Sequence, residues 1–206
     1  SIAYELCKRG LSVTVLEKEK IGAGSVWASA GMLAPISEAK SEEPDLVDFA
    51  LYSHSMYRKF IDSVENDSGL NCGFNDTGTL LIAMGKDDEG ELKHLYDTQK
   101  SRGLDSVWLD QKEIFEIEPN LSGWVTSGLL AKNDYQVNSR DLLIALGKSI
   151  IKFGGKIIEK ADVRSLGKLE DKFKSIKYIS KSQEVYIKSK QIIICSGAWT
   201  NNISDL

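Results

Sequence analysis

Glu17 closes the apolar run SVTVLEK, residues 12 to 18. A carboxylate at a strand end can accept both hydroxyl hydrogens of a ribose, as doubly wound domains hold an adenosine. A solvated charge at a strand end is the plain alternative. Lys18, next to it, reads as a neighbour rather than a catalyst. Beyond it, GAGS (22 to 25) and ASAGM (28 to 32) carry few bulky groups. Backbone N–H groups in such segments can approach a ligand closely, and Ser25 and Ser29 add hydroxyl donors for a phosphate or a ring edge. An ordinary loop explains the same composition, although Trp27 argues against a freely disordered one. Met32 and Leu33 suit either the face of a flat ring or a core contact. Much later, Gly197 follows the apolar run QIIIC, residues 191 to 195. A glycine there permits close approach at the carboxyl end of a sheet, where open α/β folds bind ligands, or it starts the next helix.

Composition narrows the classes. The chain has 206 residues and a formal net charge of -4. Its lysines are interleaved with acids, as in EKEK at 17 to 20, so no nucleic-acid footprint is expected. No apolar run approaches the roughly 20 residues of a membrane span, and no secretory leader opens the sequence. The cysteines Cys7, Cys72 and Cys195 are far apart and form no CxxC. They read as reduced, cytoplasmic thiols, with Cys7 and Cys195 buried. His54 and His94 have no partner at ligand spacing, so no metal site is expected.

The elements that must position these residues follow from periodicity. Ile2, Ala3 and Leu6 form an apolar stripe ending at Gly10, which places residue 1 inside a helix. The strand at 12 to 18 follows at once, giving the rear of a βαβ unit. Pro35 and Pro44 bracket a polar crossing. Pro44 suits the first turn of a helix over 45 to 66, with Leu46, Phe49, Ala50, Tyr57, Phe60, Ile61 and Val64 on one face and Gly69 at its end. A strand is expected at 78 to 84 and a polar helix at 87 to 102, with Leu92 and Leu95 inward. Asp110 and Glu113 can cap a short helix that Pro119 ends. A strand and turn at 128 to 138 lead to a helix at 140 to 153, with Leu142, Leu143, Leu146, Ile150 and Phe153 inward. Strands at 155 to 166 and an antiparallel meander through EVYIKS precede QIIIC, expected as a buried strand covered on both faces. The fold class is therefore α/β. An incomplete Rossmann-like domain (1–44 and 139–206) is interrupted by an inserted α+β domain (45–138).

The order LEK, GAGSVWASAGMLAP, a long detour, then QIIICSGAWT resembles the FAD-dependent D-amino acid oxidase family. Within it, the chain resembles the glycine oxidases of thiamine biosynthesis. SAGMLAP is the sharpest piece, and GAWT after a hydrophobic strand is the second. EPNLSGWVTSGLLAKNDYQVNSRDLLIAL resembles the family's return from the substrate domain into the FAD domain. The likeness runs along most of the chain and covers about the first half of a family member.

The resemblance implies an enzyme that binds FAD and takes hydride from the α-carbon of glycine or another small amino acid or amine. The imine hydrolyses, and O2 becomes H2O2. It also implies that Glu17 takes the adenosine ribose with Lys18 beside it. Ser25 and Val26 would lie by the pyrophosphate and flavin. Ala30, Gly31 and Met32 would approach the isoalloxazine, Val163 would clasp the adenine through its backbone, and Gly197 would be a third point around the same cofactor. The family's glycine-rich phosphate turn is not among these residues, and the chain alone is expected to bind FAD weakly or not at all. The family's substrate-binding arginine and active-site tyrosine belong to its C-terminal half, so no catalytic residue is assigned. Arg140 and Tyr135 are expected to make local polar contacts. The family's oxidases often assemble, which allows a homo-oligomer. Alternatives are a sarcosine oxidase-like enzyme, a quinone-linked FAD-dependent amino acid dehydrogenase, or a non-catalytic fragment without cofactor.

Overall fold

The computed structural model describes residues 1–39, 42–169 and 172–204. Of the polar crossing expected between Pro35 and Pro44, residues 40 and 41 lie outside the described residues. In chain order the elements are α1 (Ile2–Lys8), β1 (Thr14–Leu16), α2 (Ser25–Ala28), β2 (Met32–Leu33), α3 (Pro44–Ser68), β3 (Thr79–Ala83), α4 (Lys86–Ser101), β4 (Ser106–Asp110) and α5 (Gln111–Ile117). Then come β5 (Ser127–Ala131), β6 (Tyr135–Gln136), α6 (Ser139–Lys152), β7 (Lys156–Ile158), β8 (Asp162–Leu169), β9 (Lys172–Ser180), β10 (Gln183–Lys188) and a 3-10 turn, Gly197–Asn202. The chain divides into two compact units: Ser1–Trp27 with Leu146–Leu206, and Ala28–Ala145.

In the first unit β1 and β7 pair in parallel, with Thr14 opposite Lys156 and Leu16 opposite Ile158. The ladder continues past both ends: Lys156 N–H donates to Val13 O and Glu17 N–H donates to Ile158 O, each at 2.9 Å. Tyr4 and Cys7 on α1 are buried, and the Tyr4 ring lies 6.2 Å from that of Phe153. The expected meander forms, with β9 between β10 and β8 in an antiparallel sheet.

Two expectations for this unit are corrected. Residues 191 to 195 belong to no strand, and Ile193 (54% exposed) and Ile194 (38%) face solvent. Cys195 is exposed as well. An apolar run becomes a strand only where a neighbouring edge takes up its N–H and C=O groups. Among the described residues no such edge lies beside this run, so its composition alone does not bury it.

In the second unit β5 lies between β3 and β4, all antiparallel. Leu129 pairs with Leu81 on one side and Trp108 on the other, and is fully buried. Leu109, Ile114 and Val125 form a core cluster on which Leu80, Ile82, Val107, Leu121 and Leu130 pack. The cap of α5 is as expected. Asp110 Oδ1 accepts the Glu113 N–H and Glu113 Oε2 accepts the Asp110 N–H, each at 2.9 Å. Such a reciprocal cap stabilises a helix start by about 1 kcal/mol.

The ends of α3 also match the reading: Pro44 stands in the first turn and Gly69 closes the helix at φ 69°. Its inner face is corrected. Ile61 and Val64 are buried, but Leu46 (57% exposed) and Phe49 (70%) are not, and Val47 is buried in their place. Periodicity reports which side chains share a face; whether another element covers that face is a tertiary fact.

Candidate functional site

In the first unit, β1 carries Glu17 to the sheet's end, beside the entry to β8. Ala161 N–H donates to Glu17 O at 2.9 Å. Lys18 Nζ pairs with Asp162 at 3.7 Å, and Asp162 also binds Arg164 Nη2 at 2.6 Å. Val163 follows directly, paired with Tyr178 across the meander. Glu17 and Lys18 therefore lie against the entry to β8, more than 140 residues further along the chain.

The Glu17 carboxylate is half-buried and turned back on its own loop. Its Oε1 accepts the Glu19 N–H at 2.8 Å. Among the described residues its Oε2 has no partner. Glu19 and Lys160 form an ion pair alongside, and that bond holds the Glu19 carboxyl below the usual carboxylate range.

Glu159 Oε1 accepts the Ile21 N–H at 2.8 Å, fixing where the small-residue loop departs. That loop surrounds a cleft of about 420 Å³ lined by Lys20, Ile21, Gly22, Ala23, Gly24 and Trp27. Ser25 and Val26 open the one-turn α2, Ser25 exposed and Val26 half-buried. A methyl added at Gly24 would meet Trp199 Cη2 at 3.9 Å, so the turn that Gly197 begins lies against this loop.

In the second unit, residues 29 to 33 are held against the stretch 135 to 139. Ser139 Oγ donates to Ser29 O at 3.1 Å and Gln136 Nε2 to Ala30 O at 3.3 Å. Val137 N–H donates to Gly31 O at 2.9 Å, and β2 pairs with β6, Met32 opposite Gln136. Gly31 N–H is taken by Ser29 Oγ at 3.1 Å. Gly31 is buried, with φ +77°, and an added Cβ would lie 1.8 Å from Val137 O. Its lack of a side chain is thus required by packing against the protein itself. Ala30 and Met32 (51% exposed) flank it and face outward. A cleft of about 400 Å³ adjoins this segment, with Ser29, Ala30, Asn75, Gln136, Asn138 and Arg140 among its lining residues.

Sequence reasoning missed the polar side chains that order this unit. Asn138 Oδ1 accepts the N–H groups of Arg140 and Asp141, at 3.1 and 3.3 Å, so it caps α6. The run Asn-Ser-Arg-Asp before two leucines carried that signal. Asp134 and Gln99 are fully buried, and nothing in their spacing announces it. Tyr135 stacks on His54 at 4.0 Å and meets Phe74 edge-on at 5.1 Å.

The residues present suit a flavin nucleotide in two respects. The unengaged Glu17 oxygen is an acceptor at a strand end, the position at which a ribose diol is held. Ala30 and Met32 offer exposed apolar surface on a braced backbone. A parallel pair whose strands are separated in sequence by a whole α+β unit fits an incomplete Rossmann-like domain. The family model described as DAO, FAD dependent oxidoreductase, matches residues 1–206, and the chain belongs to that family.

Among relatives, the chain is 27% identical over 200 residues to a glycine oxidase of Geobacillus kaustophilus, covering 97% of this chain and 52% of that protein. It is 26% identical over 206 residues to the bifunctional protein ThiO/ThiG of Synechocystis, covering 100% of this chain and 29% of that protein. The crystal structure of glycine oxidase from Geobacillus kaustophilus superposes with a TM-score of 0.87 at 26% identity, over 98% of this chain and 53% of that one. The chain spans about half the length of the glycine oxidases it matches.

Proposed function

We propose that the full-length protein oxidises glycine or another small amino acid or amine to the imine, with FAD as electron acceptor and O2 reduced to H2O2. The observation that carries this reading is Glu17: a strand-end carboxylate at the entry to β8, with one oxygen tied to its own loop and the other, among the described residues, unengaged. Bound there, FAD supplies two-electron acceptance from the substrate's α-carbon. This chain's residues bind and orient. Glu17 accepts the ribose hydroxyls, with the Lys18–Asp162–Arg164 charges around it. The Val163 backbone meets the adenine, and Ser25, Val26 and Gly197 border the pyrophosphate and flavin. Ala30, Gly31 and Met32 form the surface toward the ring, braced by 135 to 139. The free cysteines support a reducing, cytoplasmic setting.

The test uses full-length protein loaded with FAD. Without oxygen, glycine, sarcosine or a small D-amino acid should bleach the flavin absorption; in air, peroxide should form. Absence of bleaching with every amine refutes the oxidation. Bleaching without peroxide moves the assignment to a dehydrogenase with another acceptor. Glu17→Ala should weaken FAD binding by roughly 1.5 to 3 kcal/mol, the worth of hydrogen bonds to a charged group, read by fluorescence titration.

A further inference from the structure

We infer that Asp134, assisted by Gln99, is a positioning residue that sets the segment carrying Ala30 and Met32 toward the cofactor. This rests on the function proposed above. Asp134 is fully buried, and its two oxygens take two consecutive backbone donors: Oδ1 accepts the Ile36 N–H and Oδ2 the Ser37 N–H, both at 3.0 Å. Gln99 Nε2, from α4, donates to Ile36 O at 2.7 Å and is buried too. Both backbone groups of Ile36 are therefore held by side chains more than sixty residues away in sequence.

Ile36 follows β2 after only two residues, so this clamp fixes the exit of the segment, while Ser139, Gln136 and Val137 fix its entry and middle. Every anchor except Gln99 comes from the stretch 134 to 139. Gln99 stands on α4, the helix between β3 and β4, and so ties the same turn to the three-stranded sheet of this unit. A ring-facing surface displaced by an ångström loses productive geometry. The choice of a carboxylate is chemical: an asparagine would aim an NH2 at one of the two N–H donors, leaving a buried donor unmet.

The experiment has a cofactor-free arm and a loaded arm. In protein without FAD, Asp134→Asn should speed amide exchange at Ile36 and Ser37 by about tenfold or more, while the β3–β5–β4 amides keep their protection. In FAD-loaded protein the same variant should keep FAD affinity within about threefold, because the Glu17 corner is untouched. Its flavin absorption maximum should shift, and anaerobic reduction by glycine should slow by about 10- to 100-fold. Gln99→Met should move the same readouts in the same direction by less, and it decides the matter if Asp134→Asn fails to fold. Unchanged exchange at Ile36 and Ser37 overturns the inference. So does faster exchange with an unshifted flavin spectrum and an unchanged reduction rate. If the unsubstituted protein takes up no FAD, the proposed function fails by that fact, and the clamp stands or falls on exchange alone.

Discussion

Replacing Gly31 with alanine separates two meanings of a glycine in a small-residue loop. An added Cβ would sit 1.8 Å from Val137 O and 3.0 Å from Val137 C, on a backbone at φ +77°. Carbon and oxygen prefer about 3.3 Å or more, so the segment and its neighbour would have to part by about 1.5 Å. That movement breaks the 2.9 Å bond from Val137 N–H to Gly31 O and disturbs the β2–β6 pairing beside it. The left-handed backbone costs about 1–2 kcal/mol for an L-residue and the lost hydrogen bond about 1 kcal/mol. Reduced freedom of the unfolded chain returns somewhat less than 1 kcal/mol. Overpacking against Val137 adds about 1–3 kcal/mol, for a net loss of about 3–5 kcal/mol.

Gly69 supplies the control. It has φ +69° and, among the described residues, no atom within 4 Å of an added Cβ, so Gly69→Ala carries only the backbone penalty, a net of about 1 kcal/mol. Urea denaturation of both variants, with a slope near 2 kcal/mol per molar, should separate their midpoints by about 1 M or more. Equal losses would refute the steric account and return Gly31 to a role defined by ligand approach.

Thiol chemistry and pH give two further tests. Cys195 is exposed, whereas burial raises the Cys7 thiol and pushes Cys72 from its ordinary 9.0 up to about 11. Iodoacetamide at pH 8 should modify Cys195 rapidly, and the other two only after denaturation; uniform rapid labelling contradicts the burial. Because the folded Cys72 value lies above the unfolded one, its contribution to stability is intact below pH 9 and should decline as pH rises toward 11, which Cys72→Ala would abolish. His54 has the opposite sign. Burial lowers its pKa against the raising effects of Asp134 and the Asn133 backbone, and its buried Nε2 has no partner among the described residues. Its contribution should be present above pH 6.5 and shrink as pH falls, so His54→Phe should lose less stability than the parent between pH 7.5 and 5.5 by urea midpoint.

What the sequence discloses here is mostly local. Pro44 and Gly69 mark the ends of α3 because each fixes its own φ, and Asp110 with Glu113 caps α5 through a three-residue spacing. The alternation in EVYIKS finds its partner because the chain turns straight back on itself. Pairing and cover are non-local and stay hidden. Residues 191 to 195 are as apolar as any strand, yet among the described residues they gain no ladder, and Leu46 shares a face with Ile61 but not its covering. The site divides in the same way. Glu17 stands out in the sequence because a strand-end acid is unusual, whereas the bond from Ala161 N–H to its carbonyl is seen only in the fold. Asp134 and Gln99 are polar residues in a turn and on a polar helix. By composition they belong in solvent, and only tertiary structure shows them buried against Ile36. The small residues at 28 to 32 suggested ligand approach, yet at Gly31 the protein's own Val137 carbonyl is reason enough.

The parallel pairing of residue 14 with residue 156 has a consequence for the order of assembly. Everything from Ala28 to Ala145 is made before β7 exists, and it forms a self-contained unit from one continuous run of chain. At ribosomal speeds of about 5–20 residues per second, that run has several seconds to collapse while β1 waits without its partner. Once collapsed, it spans a compact body instead of a long coil, so the entropy of closing β1 onto β7 is much reduced. A released chain truncated before residue 156 should therefore resist protease in the unit between 28 and 145 while residues 1 to 27 are still cut.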